Sequence, residues 1–170
     1  NRRHTAGEGI NAVKMARSAG FRNIRLDLIF GFPGLTISKW EETLWQAVAL
    51  APEHISAYQL SLEPSSPWGK QGQLPPQEEC AAQYGLLQEF LAGRGYIQYE
   101  VSSFCLPGKE SLHNSGYWIR TPYLGLGPAA HSFNGRDRYA NVAHLGRYVQ
   151  QLTGVEMILS QLRTTLERQG

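Results

Sequence analysis

Apolar and polar positions follow two alternating periods along the first hundred residues. Over residues 5–19, Ile10, Val13 and Ala16 recur at helical spacing. Thr5 and Glu8 have the spacing of a capping box, and Gly20 supplies a stop, so a helix is predicted. Residues 23–30 are almost continuously apolar after Leu26, as expected of a strand buried on both faces. A turn rich in Gly and Pro follows at 31–36. Helical period returns over 38–50 through Trp40, Leu44, Ala47 and Val48, until Pro52 closes it. A second strand is predicted at 55–62, a loop with four prolines at 63–76, and a helix at 77–93 carrying Tyr84, Leu87 and Leu91 on one face.

The remainder is less regular. Residues 96–104 read as a third strand and 105–122 as irregular chain. Residues 123–127 look like a short strand opening onto a Gly-Pro turn. Helices are predicted at about 142–152 and 155–167. Helices and strands that alternate with short turns imply a parallel α/β fold. The strands are too few for a closed barrel, so the pattern reads as part of a larger one.

Charge narrows the candidate partners. A net charge of +2, with basic residues scattered along the chain, gives no footprint for nucleic acid. Apolar runs are too short to span a bilayer, and no signal peptide is visible. The two cysteines, Cys80 and Cys105, have no CxxC or iron–sulfur spacing and are expected to be structural thiols in a reducing compartment.

Candidate chemistry concentrates in residues 111–118. His113, Asn114, Tyr117 and Trp118 bring an imidazole, a carboxamide and two hydrogen-bonding aromatics together just after a Pro107-Gly108 turn. That set suits a flat, aromatic, metal-bearing ligand, with the rings stacking and the imidazole ligating. A capped loop whose aromatics anchor it to the core is the other reading. Asp27 lies within an apolar strand, where a carboxylate needs either a salt-bridge partner or a ligand. Glu63 and Glu100 show no partner at fixed spacing, and His4, His54, His131 and His144 are scattered. Gly31, Pro33 and Gly34 match neither phosphate-binding spacing.

Several segments together resemble one family. They are Arg2-Arg3-His4-Thr5, Ala19-Gly20-Phe21, Asp27 to Thr36, His54 to Leu60, Tyr99-Glu100-Val101-Ser102 and Leu124 to Ser132. In this order they resemble the second half of a radical S-adenosylmethionine (SAM) domain of the oxygen-independent coproporphyrinogen III oxidase-like group. The His113-Asn114-x-x-Tyr117-Trp118 pattern resembles the HemW heme-chaperone branch of that group.

The resemblance implies an α/β fold built from the last strands of a partial TIM-like (β/α)6 barrel, residues 1–95, followed by a mixed extension, residues 96–170. It implies a cytoplasmic protein that binds heme and transfers it to acceptor apoproteins. A coproporphyrinogen III oxidase is the alternative. Peripheral membrane association through acceptors and a homodimer are further expectations. SAM contacts carry over to Arg2, Asp27, Ser61 and His131. Heme contacts carry over to His113, Asn114, Tyr117 and Trp118, with His113 as the iron ligand or as a structural residue. The family's Cys-x-x-x-Cys-x-x-Cys motif is absent, so the [4Fe-4S] cluster of a complete member has no ligands here. The chain is therefore expected to be the C-terminal part of a longer protein, unable by itself to cleave SAM.

Overall fold

The computed structural model describes residues 5–63, 69–70 and 72–154. The chain divides into two compact units, residues 1–110 and 111–170.

In the first unit, α1 (Ala6–Ser18), β1 (Arg25–Phe30), α2 (Ile37–Ala49), β2 (His54–Gln59), α3 (Gln77–Ala92), β3 (Ile97–Glu100) and β4 (Ser103–Cys105) follow one another. The capping box forms as expected: the Thr5 hydroxyl accepts from the Glu8 amide, and the Glu8 carboxylate accepts from Thr5. Thr36 caps α2 in the same way through the Lys39 amide.

The sheet order is β1-β2-β4-β3. β1 and β2 run parallel, with Asp27 opposite Ser56, whereas β4 is antiparallel to both β2 and β3. The sheet is thus mixed. The expected third strand is a hairpin that doubles back at Val101 and Ser102, and an irregularity between Gln98 and Glu100 sharpens the bend. β1 also departs from expectation. It is an edge strand whose Arg25 and Asp27 are exposed.

The core lies between the sheet and α2 and α3, around Phe30, Trp40, Leu44, Ile55, Leu87 and Phe104. Phe30 packs on Trp40 and Tyr84 with ring centroids 5.8 and 6.1 Å apart. The turn after β1 passes close beneath α3. Gly31 has φ +68°, and a Cβ there would lie 3.0 Å from Gln59 and 3.1 Å from Cys80, so glycine is required on both counts.

Gln83 holds that turn. From a buried position on α3 its side chain accepts from the Gly31 amide at 2.9 Å and donates to the Leu35 carbonyl at 2.8 Å. The Gln83 carbonyl in turn accepts from the Trp40 indole at 2.9 Å. At the opposite end of the strands, Arg17 bridges Glu53 at 2.8 Å and donates to the Ala51 carbonyl at 2.6 Å, while Tyr96 donates to the Pro52 carbonyl at 2.6 Å.

The second unit contains α4 (Leu112–Trp118), the hairpin β5 (His131–Phe133) with β6 (Arg138–Ala140), and α5, helical over 145–154. The segment expected to be irregular therefore holds a helix, and the final hairpin was not anticipated. Residues 123–127 form no strand. Tyr123 makes a single bridge to Phe133, and side chains rather than a ladder satisfy the glycines beyond it. The helix expected at 155–167 lies outside the described residues.

Both cysteines are buried and free. Burial, with Glu110 adding to it, pushes the Cys105 thiol up, as expected of an inert structural group.

Two outcomes follow from this packing. Gln83→Leu leaves two buried backbone groups without partners and should lower unfolding free energy by about 2–4 kcal/mol in urea titration. Stability should also depend on pH through His54. Burial, with help from Arg25, holds its imidazole below the ordinary value of 6.5 against the opposing pull of Asp27 and Glu100. The unfolded chain then binds the proton first, so the contribution is complete above pH 6.5 and is lost as pH falls toward the folded value. Denaturant titrations between pH 8 and 5 should show this decline, and His54→Gln should flatten it.

Candidate functional site

α4 begins where the Ser111 hydroxyl accepts from the Asn114 amide at 3.3 Å. Residues four apart share a helical stripe. His113 and Tyr117 form one stripe, and Asn114 and Trp118 form the next, about 100° around the axis. The Tyr117 hydroxyl and His113 Nε2 are 3.1 Å apart, and their rings meet edge to face at 5.0 Å. Tyr117 meets Tyr123 edge to face at 4.9 Å, and Tyr123 leans on Phe133 at 6.3 Å. One aromatic ladder therefore runs from His113 to the β5–β6 hairpin. Leu112, Trp118 and Ile119 are largely exposed beside it, Trp118 at 73%.

The helix closes with paired hydrogen bonds: Arg120 N–H to the Tyr117 carbonyl and Thr121 N–H to the Gly116 carbonyl. This is a Schellman closure, in which the left-handed position usually belongs to glycine; here Arg120 occupies it with φ +59°. The Arg120 and Arg138 guanidinium carbons lie 5.5 and 5.7 Å from the Phe133 ring centre.

The glycine-rich segment is held from three sides. The Gly125 amide donates to the Ser132 hydroxyl, the Asn141 amide donates to the carbonyls of Gly125 and Gly127, and the Gly127 amide donates to the Tyr148 hydroxyl. A Cβ on Gly125 would lie 2.1 Å from the His131 carbonyl oxygen, so no other residue fits. His131 enters this closure through its backbone, while its side chain is exposed.

In the first unit, Asp27 is paired with Arg25 at 2.9 Å and is half-exposed. The salt-bridge alternative is thus realised, without deep burial. Asp27 borders an open groove of about 790 Å³ along β1, between α1 and α2, with Ile10, Val13, Leu28 and Leu50 among its apolar walls. Ser61 is exposed beyond the end of β2. Arg2 lies outside the described residues. The four heme candidates therefore share one short helix, whereas Asp27 and Ser61 belong to the first unit and His131 to the second.

The sequence reading missed two groups. Tyr123, Phe133, Arg120 and Arg138 join the His113 ladder only through tertiary folding. The other group centres on buried His54, whose Nε2 lies 2.6 Å from the Tyr99 hydroxyl, while its Nδ1 and the Ser56 hydroxyl have no hydrogen-bond partner among the described residues. Among the described residues no group of three His, Cys, Asp or Glu side chains is placed to hold a metal ion. With two cysteines, both buried, this chain does not fit a [4Fe-4S] cluster.

An accessible imidazole beside an exposed indole and aliphatic side chains can grip a flat aromatic ligand and offer it a nitrogen donor. No helix among the described residues is long and apolar enough to cross a membrane.

No family model matches the chain. Curated relatives do. It is 37% identical over 151 residues to the heme chaperone HemW of Bacillus subtilis, covering 86% of this chain and 40% of that protein. It is 35% identical over 131 residues to the heme chaperone HemW of Escherichia coli, covering 75% and 34%. A mitochondrial radical S-adenosyl methionine domain-containing protein 1 of Danio rerio is 36% identical over 135 residues, covering 76% and 30%. The chain thus spans about two fifths or less of these relatives' length. Among solved structures, the E. coli coproporphyrinogen III oxidase HemN, described as a radical SAM enzyme, shares the fold with a TM-score of 0.73. That match has 22% identity and covers 91% of this chain and 39% of that one.

Ala129 also takes φ +59° within the glycine-rich closure. Ala129→Gly should relieve about 1 kcal/mol of backbone strain and raise the melting midpoint, measurable by calorimetry.

Proposed function

Because this chain belongs to the HemW type within the radical SAM proteins, we propose that it binds heme and passes it to acceptor apoproteins. The observation that carries this reading is the α4 helix. It presents His113 and Tyr117 on one stripe and Asn114 and an exposed Trp118 on the next.

Heme needs an iron donor and broad contact for its faces. His113 is the donor in this reading, Trp118 and Tyr117 pack the macrocycle, and Asn114 orients it. His113 would hold the iron through either ring nitrogen: use of Nε2 would compete with the Tyr117 hydroxyl, and use of Nδ1 would keep that hydrogen bond to orient the ring. Bound heme would supply the cargo, and this chain's residues supply the grip.

The SAM part of the reading rests on Asp27. Its carboxylate borders the β1 groove, where it could accept hydrogen bonds from a ribose diol in competition with Arg25. Arg2 and Ser61, carried over by the resemblance, complete that proposed set within the first unit. The cluster that reduces SAM in radical SAM proteins has no ligands in this chain, so no SAM cleavage is assigned to it. A cytoplasmic site of action, acceptors at a membrane surface and a homodimer belong to the same proposal.

Hemin titration of the folded chain, followed at the Soret band, tests the heme assignment. Saturable one-to-one binding is expected, with His113→Ala weakened about tenfold or shifted in its band position. A folded chain that shows no saturable binding would overturn the reading.

A further inference from the structure

Arg120 and Arg138 come from different elements, one from the end of α4 and one from β6, yet both stand against the Phe133 ring. Neither makes an ion pair with a carboxylate among the described residues. Phe133 is the last ring of the ladder that begins at His113. Two cations that form no ion pair among the described residues therefore sit at one end of an aromatic row, and the candidate metal donor sits at the other.

Arg120 holds its place at a cost. Its φ of +59° is the left-handed closing position of α4, where a residue with a Cβ is strained and glycine is the favoured occupant. A bulky residue kept at such a position points to a demand on its side chain.

We infer that Arg120 and Arg138 bind the two carboxylates of a porphyrin ligand's propionate edge. This assignment rests on the reading of α4 as the heme site and extends it from the iron and the ring faces to the acidic edge. Guanidinium forks suit carboxylates because two parallel N–H groups meet two oxygens. A pair of arginines on one ring matches a pair of propionates on one side of the macrocycle. Phe133 acts as a spacer, its ring attracting both guanidinium groups by cation–π interaction until the carboxylates arrive.

Titration with hemin and with hemin dimethyl ester, whose propionates are masked, tests the inference. Wild type should bind hemin more tightly than the ester. Arg120→Gly and Arg138→Gln should each weaken hemin binding about three- to tenfold and leave the ester unaffected. Arg120→Gly should at the same time melt higher than wild type, because glycine relaxes the helix closure. Weaker hemin binding by a more stable variant cannot be a folding defect. Arg136→Gln, which removes a nearby exposed charge, serves as control and should bind hemin as wild type does.

Unchanged hemin affinity in both arginine variants, with wild type still saturating, would overturn the assignment and leave the α4 site standing. An equal loss in Arg136→Gln would also overturn it, by showing a general charge effect. Wild type binding neither compound would overturn the α4 reading itself, and this inference with it.

Discussion

The first unit depends on one side-chain amide. The turn after β1 must reverse the chain within a few residues and deliver α2 onto the sheet, which leaves the Gly31 amide and the Leu35 carbonyl facing the interior. Unpaired, each would cost about 1–3 kcal/mol. Gln83 satisfies both from a helix that begins more than forty residues later. Its backbone carbonyl also takes the Trp40 indole, so the same residue locks α3, α2 and the turn together. The aromatic packing of Phe30, Trp40 and Tyr84 follows from that alignment. A buried polar residue here sets register, and the apolar contacts around it supply most of the driving force.

Much of this unit was legible in the sequence because its helices carry strong punctuation. Thr5 with Glu8, Gly20 and Pro52 mark ends that the structure confirms within a few residues. The hairpin of β3 and β4 was not legible, since Val101 and Ser102 are poor turn signals and the bend is set by pairing with β2. β1 read as buried on both faces because hydrophobicity alone does not reveal an edge; Arg25 and Asp27 were the clue.

In the second unit the balance differs. The chemistry of His113, Asn114, Tyr117 and Trp118 was visible at once, but the helix that presents it was not. It spans only seven residues and contains Gly116. The residues that extend it, Tyr123, Phe133, Arg120 and Arg138, are separated in sequence and meet only after the β5–β6 hairpin forms. The glycines of the 125–127 segment suggested a turn. Their real constraint is the close approach of Gly125 to the His131 backbone and the grip of Ser132, Asn141 and Tyr148. Local pattern reports periodicity and punctuation; it does not report which distant side chain closes a loop.

The hydrogen bond between Tyr117 and His113 Nε2 has a kinetic meaning. Any electrophile that takes this nitrogen must first part the imidazole from a hydroxyl held one helical turn away, and that hydroxyl stays close enough to return. A tethered competitor of this kind lowers the residence time of whatever binds, without narrowing what can bind. Storage favours the opposite design, a donor with nothing waiting to reclaim it. If α4 holds heme as proposed, Tyr117 would be a built-in means of eviction, carried on the same face of the same helix as His113.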